Sequence, residues 1–136
     1  MKSIIAILTG IICGSIVNMG FVMLGGTLFP PPAGIDTSSM EGLLEAMPLM
    51  EPKHFLMPFI AHAAGTFVGA WLAARIAPTK KLAHAMVIGG LFLIGGIYMV
   101  YVLPSPLWFT LADIGLAYIP MAYLGYKIAS RRQTKL

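Results

Sequence analysis

The chain has 136 residues, of which 58% are apolar and only 10% are charged. A soluble domain is about half apolar and a quarter charged, so this composition argues against a water-soluble globular fold. The formal charge is +4, and the single cysteine, Cys13, excludes an internal disulfide framework, a Cys-x-x-Cys redox pair and a cysteine-built zinc site.

Four apolar runs predict an all-α integral membrane bundle of four transmembrane helices, arranged as a single domain over residues 1–136. Each run reaches the roughly 20 residues that a helix needs to cross a bilayer. The predicted spans are residues 4–29, 54–77, 82–103 and 107–128, with an outer loop at 30–53. The alternative that the first run is a cleaved signal peptide is less favoured, because no convincing small-x-small cleavage site follows it.

The outer loop is predicted to hold a short amphipathic helix. Ser38 and Glu41 have the spacing of a capping box, and apolar residues then follow at helical intervals. These apolar residues are Met40, Leu43, Leu44 and Met47. Such a helix lies either flat on the membrane surface, which is the favoured interpretation, or folded over the mouth of the bundle as a lid.

The basic residues predict the orientation of the bundle. Positive charges are retained on the cytoplasmic side of short loops. All of them except Lys53 fall on one side of the predicted bundle, namely Lys2, Arg75, Lys80, Lys81, Lys127, Arg131, Arg132 and Lys135. We therefore expect a bacterial inner (plasma) membrane protein with both termini in the cytoplasm. The basic excess is then an insertion signal and no indication of nucleic-acid binding.

Three polar residues lie well inside different spans and are predicted to share one layer. At about 1.5 Å per residue, Asp113 lies about 10 Å, His62 about 14 Å and Asn18 about 16 Å from the outer ends of their helices. Thr66 and Tyr98 fall in the same layer. Ionisable residues inside a membrane span are functional-site candidates. The sequence thus predicts a buried polar site.

His62 is expected to face the interior of the bundle. It shares a helix face with Gly69, and Gly65 lies about 60° away around the same helix. Small residues four apart permit close helix approach and mark faces that contact protein.

Two functional hypotheses follow from the polar layer. In the first, the protein binds or moves a small ion or polar ligand through an outward-facing site, with Asp113 as charge acceptor, His62 as proton-responsive partner and Asn18 as orienting amide. In the second, the protein is a structural or accessory subunit whose polar layer specifies helix packing only. The bilayer is the expected environment in both. A homodimer would enlarge any pathway, and in the second hypothesis the amphipathic outer helix meets a partner membrane protein.

Glu51 and His54 form a weak candidate for a metal site. A carboxylate and an imidazole three residues apart at a helix start can converge on a divalent ion. His62 is about 12 Å further along the helix, too far to join the same ion. The simpler interpretation is a solvated Glu51 beside Lys53, with His54 at the interface.

Met47 and Met50, followed by His54, suggest a soft copper(I) site as a further alternative. Pro48 and Pro52 interrupt any regular helical face there, and methionine more often fills gaps in a core. A nucleophile with an adjacent base, a phosphate-binding loop and a dinucleotide fingerprint are all missing, so an enzymatic activity is disfavoured and no cofactor is predicted.

One set of short segments carries a resemblance to known proteins. The segments are Asn18-Met19-Gly20, Glu51-Pro52-Lys53-His54-Phe55, His62-Ala63-Ala64-Gly65-Thr66 and the lone Asp113. This pattern is similar to uncharacterised small four-helix bacterial membrane proteins over nearly the whole chain. The resemblance implies the four-span fold and no assigned activity, substrate or cofactor. Small multidrug exporters have a similar length, but their embedded glutamate in the first span has no counterpart here.

Overall fold

A computed structural model describes residues 1–131 of the chain, and within this range every regular element is helical. The elements are α1 (Lys2–Leu28), α2 (Met40–Ala46), a 3-10 turn (Met47–Leu49), α3 (Lys53–Ile76), α4 (Lys81–Val102), α5 (Leu107–Leu116) and α6 (Ile119–Arg131). Arg132 and Lys135, which contribute to the predicted charge bias, lie outside the described residues.

Four segments are long and apolar enough to cross a membrane, as in a multi-pass membrane protein. They are α1, α3, α4 and the pair α5–α6, so the predicted four-helix bundle is confirmed. We call the end of the bundle that carries the 30–52 connection the loop end, and the opposite end the terminal end. Lys2, Arg75 and Lys127 lie towards the terminal end.

The fourth span is two helices, because the chain leaves α5 at Ala117 and starts α6 at Ile119. Pro120 explains the interruption. Proline has no backbone N–H and its ring clashes with the carbonyl group four residues earlier, which here belongs to Leu116. The span therefore contains a one-turn break near its middle, at Ala117 and Tyr118.

α3 is the central helix and packs against α1, α4 and α6. Glycines hold α1 and α3 at the closest separation. A Cβ atom added to Gly10 would lie 2.7 Å from the carbonyl oxygen of Gly69, and one added to Gly14 would lie 2.7 Å from the carbonyl oxygen of Gly65. The two antiparallel backbones are thus in direct contact at two successive turns.

Small side chains also set the other contacts of the bundle. A Cβ atom at Gly125 in α6 would lie 2.7 Å from the carbonyl oxygen of Phe67, and one at Gly89 in α4 would lie 2.6 Å from the Cβ atom of Ala122. The buried core at this level is mostly alanine, comprising Ala70, Ala73, Ala74, Ala85, Ile88, Ala122 and Ala129. Close backbone packing of this kind is typical of helix association in membranes.

The predicted amphipathic helix is α2, but its cap differs from the prediction by one residue. Ser39, not Ser38, is the N-cap, and its hydroxyl accepts a hydrogen bond of 3.1 Å from the Gly42 N–H. Ser38 instead donates its N–H to the Asp36 carboxylate at 2.9 Å. Hydrogen bonds from the Ser38 side chain and backbone lower the pKa of Asp36 below its ordinary value.

His54 joins the two ends of the loop connection. Its Nδ1 accepts a hydrogen bond of 2.9 Å from the Glu51 N–H, so the ring proton is on Nε2, which donates to the Pro30 carbonyl group at 3.1 Å. Pro30 follows the end of α1 and His54 lies in the first turn of α3. One imidazole therefore fixes the path of the chain where it leaves α1 and where it enters α3.

The glycine contact between α1 and α3 gives a first prediction. Gly14→Ala should lower the free energy of unfolding by about 1–3 kcal/mol, the usual cost of overpacking, because the new methyl group meets a backbone carbonyl that cannot rotate away. Thermal unfolding in detergent micelles measures the change. The matched control is Gly20→Ala in the same helix, where an added Cβ has no neighbour within 4 Å. This control should be neutral or slightly stabilising, and equal melting temperatures for both variants would contradict the proposed contact.

The His54 bridge gives a second prediction. His54→Leu should speed amide hydrogen exchange in α2 by about two- to tenfold, the effect of losing one hydrogen bond, because the loop is no longer tied to Pro30. Lys53→Gln is the control, since Lys53 only pairs with Glu51 in an exposed contact of 3.1 Å and such pairs contribute little. If the amides of α2 exchange at the same rate in both variants, His54 does not hold the loop.

Candidate functional site

Asp113 is the only carboxylate inside the described membrane spans, and it is almost completely buried, with 3% of its surface exposed. Both of its oxygens are engaged. Oδ1 accepts a hydrogen bond of 2.8 Å from His62 Nδ1, and Oδ2 accepts one of 2.9 Å from the Tyr118 hydroxyl. The burial cost of the charge is offset by two charge-assisted hydrogen bonds.

Tyr118 is the residue that sequence reasoning missed. On a continuous helix, five residues correspond to about 500°, so Tyr118 would lie about 140° away from Asp113. The break after α5 changes this direction and brings the Tyr118 hydroxyl back to the carboxylate. Tyr118 is also buried, with 3% exposure, and its hydroxyl packs against Gly96 of α4, where any side chain would collide with it. The sequence feature that could have indicated this role is Pro120, two residues later, because a proline there interrupts the helix.

The His62 ring is held from two sides. Its Nδ1–H points to Asp113, and its face stacks on the Tyr118 ring with centroids 5.8 Å apart and planes inclined by 26°. Among residues 1–131, no hydrogen bond to Nε2 is present. Since Nδ1 carries the proton donated to Asp113, neutral His62 keeps a free lone pair on Nε2. The side chain is 28% exposed.

A cavity of about 240 Å³ at the loop end reaches this site, and we call it the loop-end cavity. Leu43 of α2, together with Met47 and Met50, contributes to its wall, while His62 and Asp113 lie at its inner end. The amphipathic loop helix therefore contributes one side chain, Leu43, to the loop-end cavity, while among the regular elements of residues 1–131 its backbone packs only against the 3-10 turn that follows it.

A second cavity, of about 350 Å³, opens between α1 and α4, and we call it the lateral crevice. Its wall includes Ser15 and Asn18 from α1 and a stretch of α4 from Leu91 to Met99. His62 and Tyr118 form its inner surface. His62 thus lines both cavities.

The other residues predicted for the polar layer lie in different places. Asn18 and Tyr98 line the lateral crevice with His62, and Tyr98 is 65% exposed at its rim. Thr66 is completely buried one turn from His62, lines neither cavity, and its hydroxyl has no hydrogen-bond partner among the described residues. The structure therefore brings His62, Asp113 and Tyr118 into hydrogen-bonding contact and places Asn18 and Tyr98 around the crevice.

The residues considered for a metal site have other partners. The Glu51 carboxylate lies 3.1 Å from Lys53 Nζ, and both ring nitrogens of His54 are occupied by backbone groups. Within residues 1–131, no group of three or more His, Cys, Asp or Glu side chains is placed to hold a metal ion. Met47, Met50 and Met99 line the loop-end cavity beside His62.

Comparison of the chain with protein-family models, with curated proteins and with solved structures gave no match.

The hydrogen bond from Tyr118 to Asp113 gives a third prediction. Tyr118→Phe keeps the ring that stacks on His62 but removes the donor to Oδ2, so the free energy of unfolding should fall by about 1.5–3 kcal/mol, the range for a hydrogen bond to a charged group. Tyr123→Phe is the control, because the Tyr123 side chain is half-exposed on α6. Chemical or thermal unfolding in detergent compares the two, and a loss of stability no greater than that of the control would contradict the role of Tyr118.

Proposed function

We propose that this protein binds a small ion or polar ligand inside the membrane at the Nε2 atom of His62. The observation that supports this proposal is the buried Asp113 carboxylate that holds the imidazole by Nδ1, which leaves Nε2 without a protein partner beside two cavities. A carboxylate in this position orients the ring and fixes which nitrogen carries the proton.

The geometry favours a proton or a hydrogen-bond donor as the ligand over a bare metal cation. Both Asp113 oxygens already accept hydrogen bonds, so the carboxylate has limited capacity for direct ion coordination. A proton on Nε2 turns His62 and Asp113 into an imidazolium–carboxylate pair with no net charge, which is far less costly in an apolar environment than an isolated ion. Asp113 then does not contact the ligand and acts by holding the His62 ring in position.

The loop-end cavity is the proposed route for a water-soluble ligand. By the positive-inside rule, the loop end faces outward from a bacterial plasma membrane and both termini are cytoplasmic. Leu43 and Met47 line this route together with His62. This proposal is one of binding without a cofactor, and it is compatible with the resemblance to small four-helix bacterial membrane proteins.

A structural role is the second candidate, and the hydrogen bonds at both Asp113 oxygens favour it. His62 from α3 and Tyr118 from the break both bind the carboxylate of Asp113 from α5, so the cluster can fix helix register with no ligand. Interhelical hydrogen bonds of this kind contribute about 0.6–2 kcal/mol each in membranes. The protein would then be an accessory subunit of a membrane complex.

The substitution His62→Asn separates the two roles and gives a fourth prediction. The asparagine amide can still donate to Asp113 from near the Nδ1 position, but no acceptor reaches the Nε2 position. Under the proposed function, the variant remains folded and loses ligand binding. Thermal unfolding is measured from about pH 5 to 8, the range in which histidine titrates, with a panel of monovalent cations, divalent metals and small hydroxyl or amino compounds.

A ligand at 100 times its Kd should stabilise the wild type by about 2.7 kcal/mol and leave His62→Asn unchanged. Asp113→Asn should also lose the response, whereas the exposed loop variant Glu45→Gln should keep it. If no compound in the panel shifts the wild type while Asp113→Asn and Tyr118→Phe simply melt earlier, the polar cluster is structural and the proposed function is wrong.

A further inference from the structure

The lateral crevice opens sideways, towards the space that lipid occupies in a membrane. Its residues come from the middle of α1 and from the part of α4 that runs from Leu91 to Met99, the latter in the last turn of that helix. Leu91, Tyr98 and Met99 at its rim are exposed, as are the neighbouring apolar residues Ile94 and Ile97. The exposed apolar rim therefore makes this opening accessible from the apolar phase of the bilayer.

α4 carries a glycine that leaves space on this side of the bundle. α1 and α4 touch at Phe92, whose ring contacts Gly14. Gly95 lines the crevice, and a Cβ atom added to it would have no neighbour within 4 Å. The crevice is thus an open feature of a tightly packed bundle, in a size range that holds small ligands.

The walls and the inner end of the crevice differ in chemistry. Leu91, Phe92 and Met99 form apolar walls, whereas Asn18 and His62 present polar groups further in. The Asn18 side chain forms no hydrogen bond with another described residue, and His62 offers the free lone pair of Nε2. An apolar molecule that carries one hydrogen-bond donor matches this arrangement, since the walls take its hydrocarbon part and Nε2 accepts from its polar group.

No charged side chain lines the crevice, apart from His62 when it is protonated. A phosphate or carboxylate group would be buried there with at most one positive partner, which is unfavourable in an apolar medium. A neutral hydroxyl group has no such cost. It can donate to Nε2 and accept from the Asn18 amide at the same time.

We propose that the lateral crevice is a binding site for a membrane-soluble molecule with a neutral hydroxyl group, which enters from the bilayer between α1 and α4 and donates a hydrogen bond to His62 Nε2. This proposal deepens the proposed function, on which it rests, by naming the class of ligand that the same histidine takes from the lipid side.

The test is photolabelling of the whole protein in nanodiscs of phosphatidylcholine, a lipid without a free hydroxyl group. Two probes are compared, a long-chain primary alcohol with a diazirine in its chain and the methyl ether of the same alcohol. The alcohol should label peptides around Ser15 to Asn18 and Leu91 to Met99 about two- to tenfold more than the ether does, the preference expected for one hydrogen bond. Excess 1-hexadecanol and 4-dodecylphenol are added as separate competitors, to show whether an aliphatic or an aromatic hydroxyl is preferred.

Two glycine variants in α4 form a matched pair. Gly95→Phe should abolish the selective labelling because the new ring fills the crevice. Gly90→Phe should keep it, since a Cβ atom there also meets nothing within 4 Å but Gly90 does not line the crevice. His62→Asn should equalise labelling by the alcohol and the ether while both still reach the crevice.

Each outcome decides the proposal separately from the proposed function. Equal labelling by alcohol and ether in the wild type means that acyl chains fill the crevice without recognition, and absence of labelling from both means that protein closes it; either result overturns the proposal. Selective labelling that survives in His62→Asn also overturns it. Gly95→Phe should retain any thermal response to water-soluble ligands, because they enter through the loop-end cavity. If the wild type itself shows no such response, that result counts against the proposed function and not against the labelling result.

Discussion

The contact between the backbones of α1 and α3 is the constraint on which the rest of the structure depends. Gly10 and Gly14 lie against the carbonyl groups of Gly69 and Gly65, with no side chain between them. Lipid supplies no hydrophobic force between helices, so such close packing supplies much of the attraction. It also fixes the rotation of α3 about its axis. With Gly65 and Gly69 turned towards α1, His62 lies between α1 and the second half of the chain, where Asp113 can reach it.

The polar cluster of His62, Asp113 and Tyr118 also depends on the interruption between α5 and α6. The break at Ala117 and Tyr118 costs backbone hydrogen bonds in the middle of a span, which is tolerated where protein surrounds the chain. It allows Tyr118 to reach a carboxylate five residues earlier, and it places the Tyr118 ring beside His62. Gly96 supplies the necessary room on α4. Three separate local features are therefore combined in one hydrogen-bonded group.

Much of this fold could be predicted from the sequence, because apolar runs of about 20 residues leave few alternatives in a membrane. The helix bounds differ from the predicted spans by three residues or fewer. Helical spacing also predicted that His62 shares a face with Gly65 and Gly69. Its distance from the outer end of its helix predicted that it lies at about the same depth as Asp113. The role of Tyr118 could not be predicted in this way, since periodicity assumes a continuous helix. The side of the bundle on which a cavity forms depends on how several helices pack together. The residue pattern of a single helix carries no information about that packing.

The position of His62 between two cavities has a thermodynamic consequence. The neutral ring has one lone pair on Nε2, and both proposed ligands require that lone pair as their acceptor. Under the two proposals, a molecule bound through the lateral crevice would compete with one that arrives through the loop-end cavity. By linkage, each would then lower the apparent affinity for the other. A single imidazole would thus make occupancy from the lipid and occupancy from the aqueous side mutually exclusive states of one small bundle.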